Sequence, residues 1–455
     1  MELIMKSVRI GASVGFWGDI FTSAVDVAQY GDVKYICGDS LAELTMAILQ
    51  KAKNKNPKDG YTKDVFPLMT SLLPICKEKG IKIISNCGGI NPLGAMEAVK
   101  GIAKKLGLSD LKIAVVEGDN ILDRLKEFAD KGYLGNLGAE TGGLWDKILF
   151  ANVYLGGREI AKALATGADI VITGRTTDSG QFLGPAMYEL GWQEDDWDKI
   201  AQGIVLGHLM ECSGQATGGN FSGEWWKVDK LGNLGYPVSE IYENGEFIFS
   251  KPKNTGGMVC VDTVKEQLLY EIHDPTCYLT PDVIVDFSSV KLENVGTDQV
   301  KVTGAAGKPK PPTLKAILGY TAGFVGEGSI TYSWPDALPK ARKAEEIIRQ
   351  RIDMQGINCE EIHSEYIGLN SIHGPLAPEP ENETNEVMLR VAVRTSTKDE
   401  AAKIGREFPA LALNGPPHAS GLGGMHSIRE LIGQKTALIP REEIEPLVKI
   451  SVEEV

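Results

Sequence analysis

Up to residue 179, hydrophobic residues occur in short runs that each end in glycines, acids or hydroxyl residues. The runs are VRIGASVG, KYICGDS, IKIISNCGG, LKIAVVEGD, NVYLGG and ADIVITGRTTDS. Amphipathic segments typical of helices lie between several of them, at 41–53, 65–80, 91–107 and 120–132. Strands and helices that alternate at this spacing predict βαβ units around a parallel sheet. The loops at the carboxyl ends of such strands meet in one crevice, which is the usual ligand site.

The pattern changes after about residue 225, where alternating strand-like segments are separated by Gly, Asn and Asp turns. The proline-rich stretch 304–313 predicts a linker. Beyond it the predicted order is strand, helix, strand, strand, helix, strand, at 314–321, 339–355, 361–367, 386–394, 397–412 and 435–439. This order is typical of a ferredoxin-like arrangement. We therefore predict an α/β domain over 1–305, with a mostly parallel sheet flanked by helices, and a smaller ferredoxin-like α+β domain over 306–455.

Composition narrows the classes of protein to consider. A chain of 455 residues exceeds the size of a single core, and a net charge of −14 argues against a nucleic-acid partner. No apolar run reaches the length of a membrane span or a secretory signal. The seven cysteines include no CxxC pair, so neither a disulfide framework nor a zinc ribbon is indicated. We expect a cytoplasmic protein that binds neither nucleic acid nor membrane.

The first strand-end loop contains Gly15, Gly18 and Asp19. Its glycines are not spaced as in the dinucleotide fingerprint GxGxxG, although the loop follows a strand as that motif does. Backbone N–H groups exposed by the glycines would suit an anion at the following helix terminus. The alternative interpretation is a tight turn from strand to helix, and the sequence leaves both open.

The second and third loops carry polar groups that suit chemistry at a carbonyl. Asp39 and Glu43 are four residues apart and share a helix face, so they suit acid/base work, or else a helix N-terminus that favours acids. Asn86 is followed by Gly88 and Gly89, which permit close backbone approach while the amide binds a carboxylate or carbonyl. A structural turn explains the glycines alone, but explains the asparagine less well.

The sixth loop contains Arg175, Thr176, Asp178 and Ser179. A guanidinium at a strand terminus suits a bidentate grip on a carboxylate or phosphate, and the hydroxyls suit the ligand or the next helix cap. The alternative is an arginine that pairs only with Asp178. The sequence also allows a divalent cation held by Asp39, Asp119 and Asp178, although no standard metal motif is present.

A second cluster follows at His208, Glu211 and Cys212, whose spacing places them near one helical face. A histidine oriented by a carboxylate is a candidate general acid or base, and the alternative is a satisfied buried histidine. The polar segment that follows, with no evident packing reason, predicts pocket-lining groups at Gln215, Thr217 and Asn220.

These motifs together resemble the acyclic terpene utilisation (AtuA-like) family. The matching stretches run from about residue 9 to 440 and include GDSLAELTMAIL, NCGGINP, GADIVITGR, LGWQEDDWDKIAQGIVLGHLMECSGQATGGNF, GYPVSEI, EYIGLNSIHG and ALNGP. The resemblance implies a role in the breakdown of branched acyclic terpenoids and related carboxylates, handled as acyl-CoA esters. The chain departs from the expected motifs at Ile20, where an arginine is expected, and at Cys87, where an alanine is expected.

The hypothesis that follows is a lyase or hydratase acting on a branched carboxylic acid or its CoA thioester. Arg175, Asn86 and the glycine turn would hold the carboxylate or carbonyl, and His208 with Glu211, or alternatively Asp39, would move the proton. No cofactor is required beyond a CoA moiety on the substrate. Two alternatives remain: a two-thiol isomerase or racemase using Cys87 and Cys212, and a non-catalytic subunit. We expect a homo-oligomer, with room for a small companion subunit.

Overall fold

The computed structural model describes residues 5–135, 145–423 and 428–455. These form two compact units, Met1–Gly319 with Gln434–Val455, and Tyr320–Gly433. The second unit thus starts later than the predicted boundary after residue 305, and the C-terminal segment belongs to the first unit.

The described strands are β1 Ser7–Ala12, β2 Tyr35–Gly38, β3 Lys82–Ser85, β4 Lys112–Glu117, β5 Ile148–Val153, β6 Ile170–Thr173, β7 Val238–Tyr242, β8 Phe247–Ser250, β9 Tyr278–Leu279, β10 Ile284–Asp286, β11 Lys291–Gly296, β12 Gln299–Thr303, β13 Ala306–Lys308, β14 Thr313–Ser333, β15 Glu361–Ile367, β16 Glu386–Thr395, β17 Ala419–Gly423, β18 Arg429–Pro440 and β19 Lys449–Glu454. The α-helices are α1 Phe21–Tyr30, α2 Glu43–Lys55, α3 Val65–Lys79, α4 Pro92–Lys105, α5 Leu125–Asp130, α6 Gly157–Ala165, α7 Gly180–Leu190, α8 Trp197–Glu211, α9 Val261–Leu269, α10 Ala337–Met354, α11 Lys398–Ile404, α12 Glu407–Asn414 and α13 Arg441–Ile444.

The main sheet of the first unit has, in its described part, the order β11-β12-β8-β7-β1-β2-β3-β6-β4-β19. The neighbours from β1 to β4 pair in parallel, and their side chains are almost entirely buried. The outer strands pair antiparallel, and short hairpins connect β7 to β8 and β11 to β12. The sheet is therefore mixed, and the prediction of a mostly parallel sheet holds only for its centre.

Each of the six apolar runs forms a strand, and helices occur at the four predicted segments. The run that contains β5 does not join the main sheet, because β5 pairs with β14. Helix α4 shows why the local signals were informative. The Asn91 side chain accepts a hydrogen bond from Gly94 N at 3.1 Å, Pro92 opens the helix, and Gly107 adopts a positive φ of 69° beyond its end.

The stretch predicted as a linker is partly a strand. Residues of β13 pair antiparallel with β10, so this segment belongs to a small sheet of the first unit. In the second unit the described sheet has the order β15-β16-β14-β17, with all three pairings antiparallel. The predicted helix at 397–412 is divided into α11 and α12. The fourth strand of this order is β17. The predicted strand at 435–439 forms within β18, which also pairs with β14.

Each unit has its own hydrophobic core. One lies around the main sheet, and the other lies between α10 and the sheet of the second unit. Across residues 5–135, 145–423 and 428–455, none of the helices combines the length and hydropathy needed to cross a lipid bilayer.

Candidate functional site

Three of the predicted site residues follow neighbouring parallel strands at their carboxyl ends. Asp39 follows β2, Asn86 follows β3 and Arg175 lies two residues after β6. The register pairs Gly38 with Ser85, so Asp39 and Asn86 emerge side by side. The structure thus brings together the second, third and sixth loops, as the parallel-strand pattern predicted.

Asn86 fixes the position of Asp39. Its amide Nδ2 donates to Asp39 Oδ1, and its Oδ1 accepts from Ser40 N at 2.7 Å. The Leu41 N–H adds a second donor to Asp39 Oδ1 at 3.1 Å. Because both side chains are buried, these bonds hold one arrangement of the two loops.

Arg175 is buried, and its guanidinium is bound to protein on several sides. Nη1 donates to Leu41 O at 2.5 Å and Nη2 donates to Asp178 Oδ1 at 2.8 Å. The guanidinium also lies over the Tyr154 ring, 4.2 Å from its centroid. Nε has no hydrogen-bond partner within the described residues. The structure thus contains the Arg175–Asp178 pair of the alternative interpretation. A bidentate grip of Arg175 on a ligand stays a prediction.

Asp39 and Asp178 form an acid pair beside this guanidinium. Burial raises the pKa of Asp39 well above its usual range, and the nearby Asp178 raises it further. Burial also raises the pKa of Asp178, although Arg175 and a hydrogen bond with Asp39 act in the opposite direction. Two interacting carboxyls titrate as a pair, so ionisation of one disfavours ionisation of the other. Between the two ionisation steps such a pair supplies both an acid and a base.

Asp119 holds the sixth loop from behind and is not part of the acid pair. Its Oδ2 accepts from Arg175 N at 2.8 Å and from Asn152 Nδ2 at 2.7 Å. Burial raises the pKa of Asp119 to about 6. The cation site considered for Asp39, Asp119 and Asp178 is not formed, and no group of three His, Cys, Asp or Glu within the described ranges is arranged to hold a metal ion.

Glu43 lines a cavity and bonds to Tyr154, the residue whose ring lies under the Arg175 guanidinium. It accepts a hydrogen bond from the Tyr154 hydroxyl at 2.6 Å and lies 3.7 Å from Lys315 Nζ. Burial opposes ionisation of Glu43, but the Tyr154 hydroxyl and the nearby Arg175 hold its pKa below the usual value. A cavity of about 800 Å³ is lined by Glu43, Tyr133, Leu134, Gly135, Lys315, Ile317 and residues 434–438.

His208 and Glu211 form the predicted pair on α8, with His208 Nδ1 3.0 Å from Glu211 Oε1. The imidazole packs edge-on against Phe287 at 5.7 Å, and Tyr278 is 6.4 Å away. Burial lowers the pKa of His208 to about 4 and raises that of Glu211 well above its usual range. The imidazole of His208 is therefore neutral at pH 7, and burial disfavours the charged form of Glu211. The buried Nε2 of His208 has no partner in the part of the chain that the structure describes.

The polar segment after His208 has a packing role that the sequence did not reveal. Gln215 Nε2 donates to Gln267 Oε1 at 2.8 Å, and Gln267 in turn donates to His208 O at 2.9 Å. Thr217 Oγ1 donates to Gly214 O, and Asn220 is exposed with a positive φ of 56°. This segment therefore buttresses α8 against α9. A pocket-lining role for it stays a prediction.

In the first loop, the Asp19 carboxylate accepts hydrogen bonds from backbone N–H groups of the same loop. Gly15 N donates to Asp19 Oδ2 and Ser213 Oγ donates to the same oxygen, both at 2.8 Å. The Tyr236 hydroxyl and Ile20 N donate to Oδ1 at 2.5 and 2.7 Å. Gly18 N donates to Asp64 instead. The geometry is that of the turn alternative, with a protein carboxylate at the position predicted for an external anion.

The remaining predicted groups have tight local surroundings. A Cβ on Gly88 would lie 2.5 Å from Thr173 O, and Gly89 has a positive φ of 50°, so close approach requires both glycines. Thr176 accepts a hydrogen bond from Gln181, while the buried Ser179 Oγ has no partner among the described residues.

The two cysteines of the thiol alternative have environments that disfavour thiolates. Cys87 is buried, which raises its pKa to about 11. Burial and the neighbouring Glu211 raise the pKa of Cys212 as well. A thiol acid/base needs an accessible thiolate near neutral pH. The geometry gives this alternative no support.

Sequence reasoning missed Tyr154, which stacks on Arg175 and bonds to Glu43, although it lies in the fifth apolar run. The available signal was an aromatic residue at a strand end. Gln267 was missed as well, because its contact with His208 joins segments 59 residues apart.

Comparison with known proteins agrees with the motif pattern. The family model "Acyclic terpene utilisation family protein AtuA" matches residues 8–450. A search of curated proteins found no match, and a search of solved structures found none either. Since the family model covers nearly the whole chain, with all the strand-end loops of the site, the protein belongs to the acyclic terpene utilisation family.

Proposed function

We propose that this protein is an acid/base enzyme of lyase or hydratase type, acting beside the carbonyl of a branched acyl group in terpene catabolism. The observation that carries the proposal is the Asp39–Asp178 acid pair next to the buried Arg175. Family membership supports the broader setting, acyclic terpene utilisation.

In the elimination direction, the Asp178 carboxylate removes a proton from the carbon next to the carbonyl. The hydroxyl on the following carbon leaves as water after it receives a proton from a neutral carboxyl, for which Glu211 is the candidate. A carbon–carbon double bond forms, and the hydration direction reverses each transfer. The reaction involves no change of oxidation state, so it needs no redox cofactor. Positioned acids and bases of this kind contribute roughly 10²–10⁴-fold to rate.

Three features of the site support these roles. Asp178 is the more exposed member of the pair, with a side-chain exposure of 34%. Asp39 is buried and positioned to exchange protons with it. The guanidinium of Arg175 supplies positive charge where the carbonyl oxygen gains negative charge. Arg175 is thus a stabilising group, and Asn86 is a positioning residue for Asp39.

We also propose a ferredoxin-like assignment for the second unit. Its strands follow the chain order β14, β15, β16, β17, and the antiparallel order β15-β16-β14-β17 supports that arrangement. Deletion of residues 320–433 tests whether this unit has a role in the reaction.

The test is turnover of a branched 3-hydroxyacyl thioester and its 2-enoyl counterpart by the purified chain. The wild type should interconvert the two, and Asp178→Asn should lower the rate by roughly 10²-fold or more. Asp282→Asn is the control, because it makes the same chemical change at a buried carboxylate outside the acid pair. Asp282 accepts hydrogen bonds from Gly157 N and Arg158 N. Equal rates for Asp178→Asn and the wild type would refute the proposal.

A further inference from the structure

We propose that β15 is the interface of a homodimer, in which it pairs antiparallel with β15 of a second copy across a two-fold axis at His363. The pairing joins the sheets of the two second units into one continuous sheet. The inference concerns assembly, so it goes beyond the proposed chemistry and does not depend on it.

The free edge of β15 has none of the usual features that keep other strands away. β15 ends the order β15-β16-β14-β17, so within the described residues no strand lies on its outer side. Proteins commonly protect such an edge with a bulge, a proline or lysines. β11 and β17 have register shifts, and β19 begins with Lys449. β15 keeps one register with β16 over its 7 residues and contains neither lysine nor proline.

A hydrogen bond beside β14 shows which way the backbone groups of β15 point. Trp334 N donates to Asn385 O at 2.7 Å, so the odd-numbered residues of β16 bond to β14. Backbone groups alternate in direction along a strand, so the even-numbered residues of β16 bond to β15. Their register partners in β15 are odd-numbered, as in Arg394 with Glu361. The even-numbered residues of β15 therefore direct their N–H and C=O groups away from the sheet.

The turn after β15 agrees with this direction. Tyr366 N donates to Asn370 Oδ1 at 2.7 Å, and Tyr366 O accepts from Leu369 N at 2.9 Å. These groups of Tyr366 thus bond within the turn and not to β16. Ile362 and Ser364 are the other residues of the strand whose backbone groups point outward, and a further strand can reach them.

The burial of the helix-facing side chains also fits a missing neighbour. Ile362 and Tyr366 contact the core of the second unit but are only half-buried. Their register partners in β16, Val393 and Leu389, lie on the same face and are 0% exposed. The side chains of β15 lack a neighbour on the outer side, and a second strand there would cover them.

The outward groups match a second copy of the same strand. A two-fold axis at His363 places Ile362 opposite the partner's Ser364, and such a pair exchanges both of its N–H···O=C bonds. The axis repeats this pair, so each outward N–H and C=O of the two residues is used. An axis at Ser364 would instead require the groups of Tyr366 that bond within the turn.

The charges on the open face of the sheet are compatible with this register. Glu361, His363 and Glu365 share that face, because side chains alternate along a strand. Glu361 would lie opposite the partner's Glu365, whose carboxylate already has Arg390 at 2.7 Å and His363 at 3.1 Å. The two His363 imidazoles would meet at the axis, between carboxylates of both copies. Groups of both signs therefore meet across the axis.

Disulfide trapping tests the register on the full-length protein. In a Cys277→Ser background, which lacks the exposed native thiol, His363→Cys should give a disulfide-linked dimer under mild oxidation. Opposite residues of a non-hydrogen-bonded antiparallel pair have Cα atoms about 4.5 Å apart, a distance that a disulfide spans. Glu361→Cys is the matched control on the same strand and face. It would lie opposite the partner's Glu365 and should give at least tenfold less linked dimer.

Light scattering tests the interface without a cross-link. The wild type should be a dimer, and Ser364→Pro should weaken dimerisation at least tenfold. Proline removes an outward N–H that the sheet of one copy does not use, so the variant should keep its fold. Circular dichroism checks that fold. Ser364→Ala keeps the N–H and should remain a dimer. If Ser364→Pro does not fold, the disulfide result decides.

A monomeric wild type would overturn the inference, including a monomer that binds an extended peptide along β15. Equal trapping of His363→Cys and Glu361→Cys would overturn it as well. The same holds for a dimer that a folded Ser364→Pro leaves unchanged, because its interface would lie elsewhere.

Discussion

Arg175 and Asp178 form an ion pair of 2.8 Å whose two ends differ in access to solvent. The arginine side chain is 1% exposed and the aspartate side chain is 34% exposed. A buried guanidinium must keep its hydrogen-bonded partners, because leaving it unpaired is costly. The pair therefore holds a partly exposed carboxylate against a buried guanidinium. That arrangement suits an acid/base group that meets its substrate while its geometry stays fixed.

Removing the side chain that positions Asp39 should lower both stability and activity. Asn86→Ala deletes the amide that bonds to Asp39 and to Ser40 N, which leaves buried groups unpaired. We expect a loss of about 1–3 kcal/mol in the free energy of unfolding, measured by urea denaturation. The exposed Asn414→Ala should change stability by less than about 0.5 kcal/mol. Equal stability of Asn86→Ala and the wild type would show that these bonds do not hold the loops.

The first loop should not tolerate a side chain at Gly15. A Cβ there would lie 2.9 Å from the backbone carbon of Cys212 and 2.9 Å from Glu211 O. Since backbone cannot move aside easily, Gly15→Ala should destabilise the protein by about 1–3 kcal/mol. Gly101→Ala, in α4 with nothing within 4 Å of the new Cβ, should instead stabilise by up to about 1 kcal/mol. Thermal melts of both variants test the contrast, and similar shifts for the two would contradict it.

The sequence predicted which loops meet at the edge of the sheet, because strand-end loops are a local property of each βαβ unit. Asp39, Asn86 and Arg175 were identified in this way, and the parallel register brings them together. The hydrogen-bond partners of each loop were not predictable from the sequence, since they come from distant segments of the chain. Asp119 binds Arg175 N across 56 residues, and Asp282 binds Gly157 N across 125 residues.

The same limit explains the errors in the fold. The pairings of the outer strands of the main sheet and of β13 are set by tertiary contacts. The composition of the proline-rich stretch predicts a linker, and composition alone does not show that β13 pairs with β10. The division into units was equally hidden, since the chain passes between them inside two continuous strands, β14 and β18.

His208 should make stability depend on pH. Burial lowers its pKa to about 4 from an ordinary value of 6.5, so between these values the unfolded chain binds a proton that the folded protein does not. Stability should therefore fall as pH decreases from 6.5 toward 4, by about 3 kcal/mol for this group. Asp39 and Glu211, whose pKa values are raised, act in the opposite direction.

Comparing the wild type with His208→Gln isolates the contribution of His208 to the pH dependence of stability, because both proteins contain the same aspartates and glutamates. Urea denaturation at pH 7.5 and pH 5 should show a smaller loss of stability for the variant than for the wild type. The same loss in both proteins would mean that His208 is not the buried, neutral group described above.

Replacing Cys87 should leave catalysis intact. The thiol is buried, and burial raises its pKa to about 11, so it is not a thiolate at neutral pH. Cys87→Ala should keep turnover within about twofold of the wild type, at a stability cost of about 1 kcal/mol for the removed sulfur. A loss of turnover of 100-fold with retained folding would favour the two-thiol mechanism instead.

The most direct test of the central claim follows the proton itself. The wild-type protein is incubated in D₂O with a branched acyl thioester that lacks the leaving hydroxyl, and NMR records deuterium entering the carbon next to the carbonyl. Asp178→Asn is measured beside it, with Asp282→Asn as the control. The acid-pair account predicts exchange by the wild type and the control, and a rate at least 10²-fold lower for Asp178→Asn. Exchange at equal rates in all three proteins, or none in a wild type that binds the thioester, would contradict it.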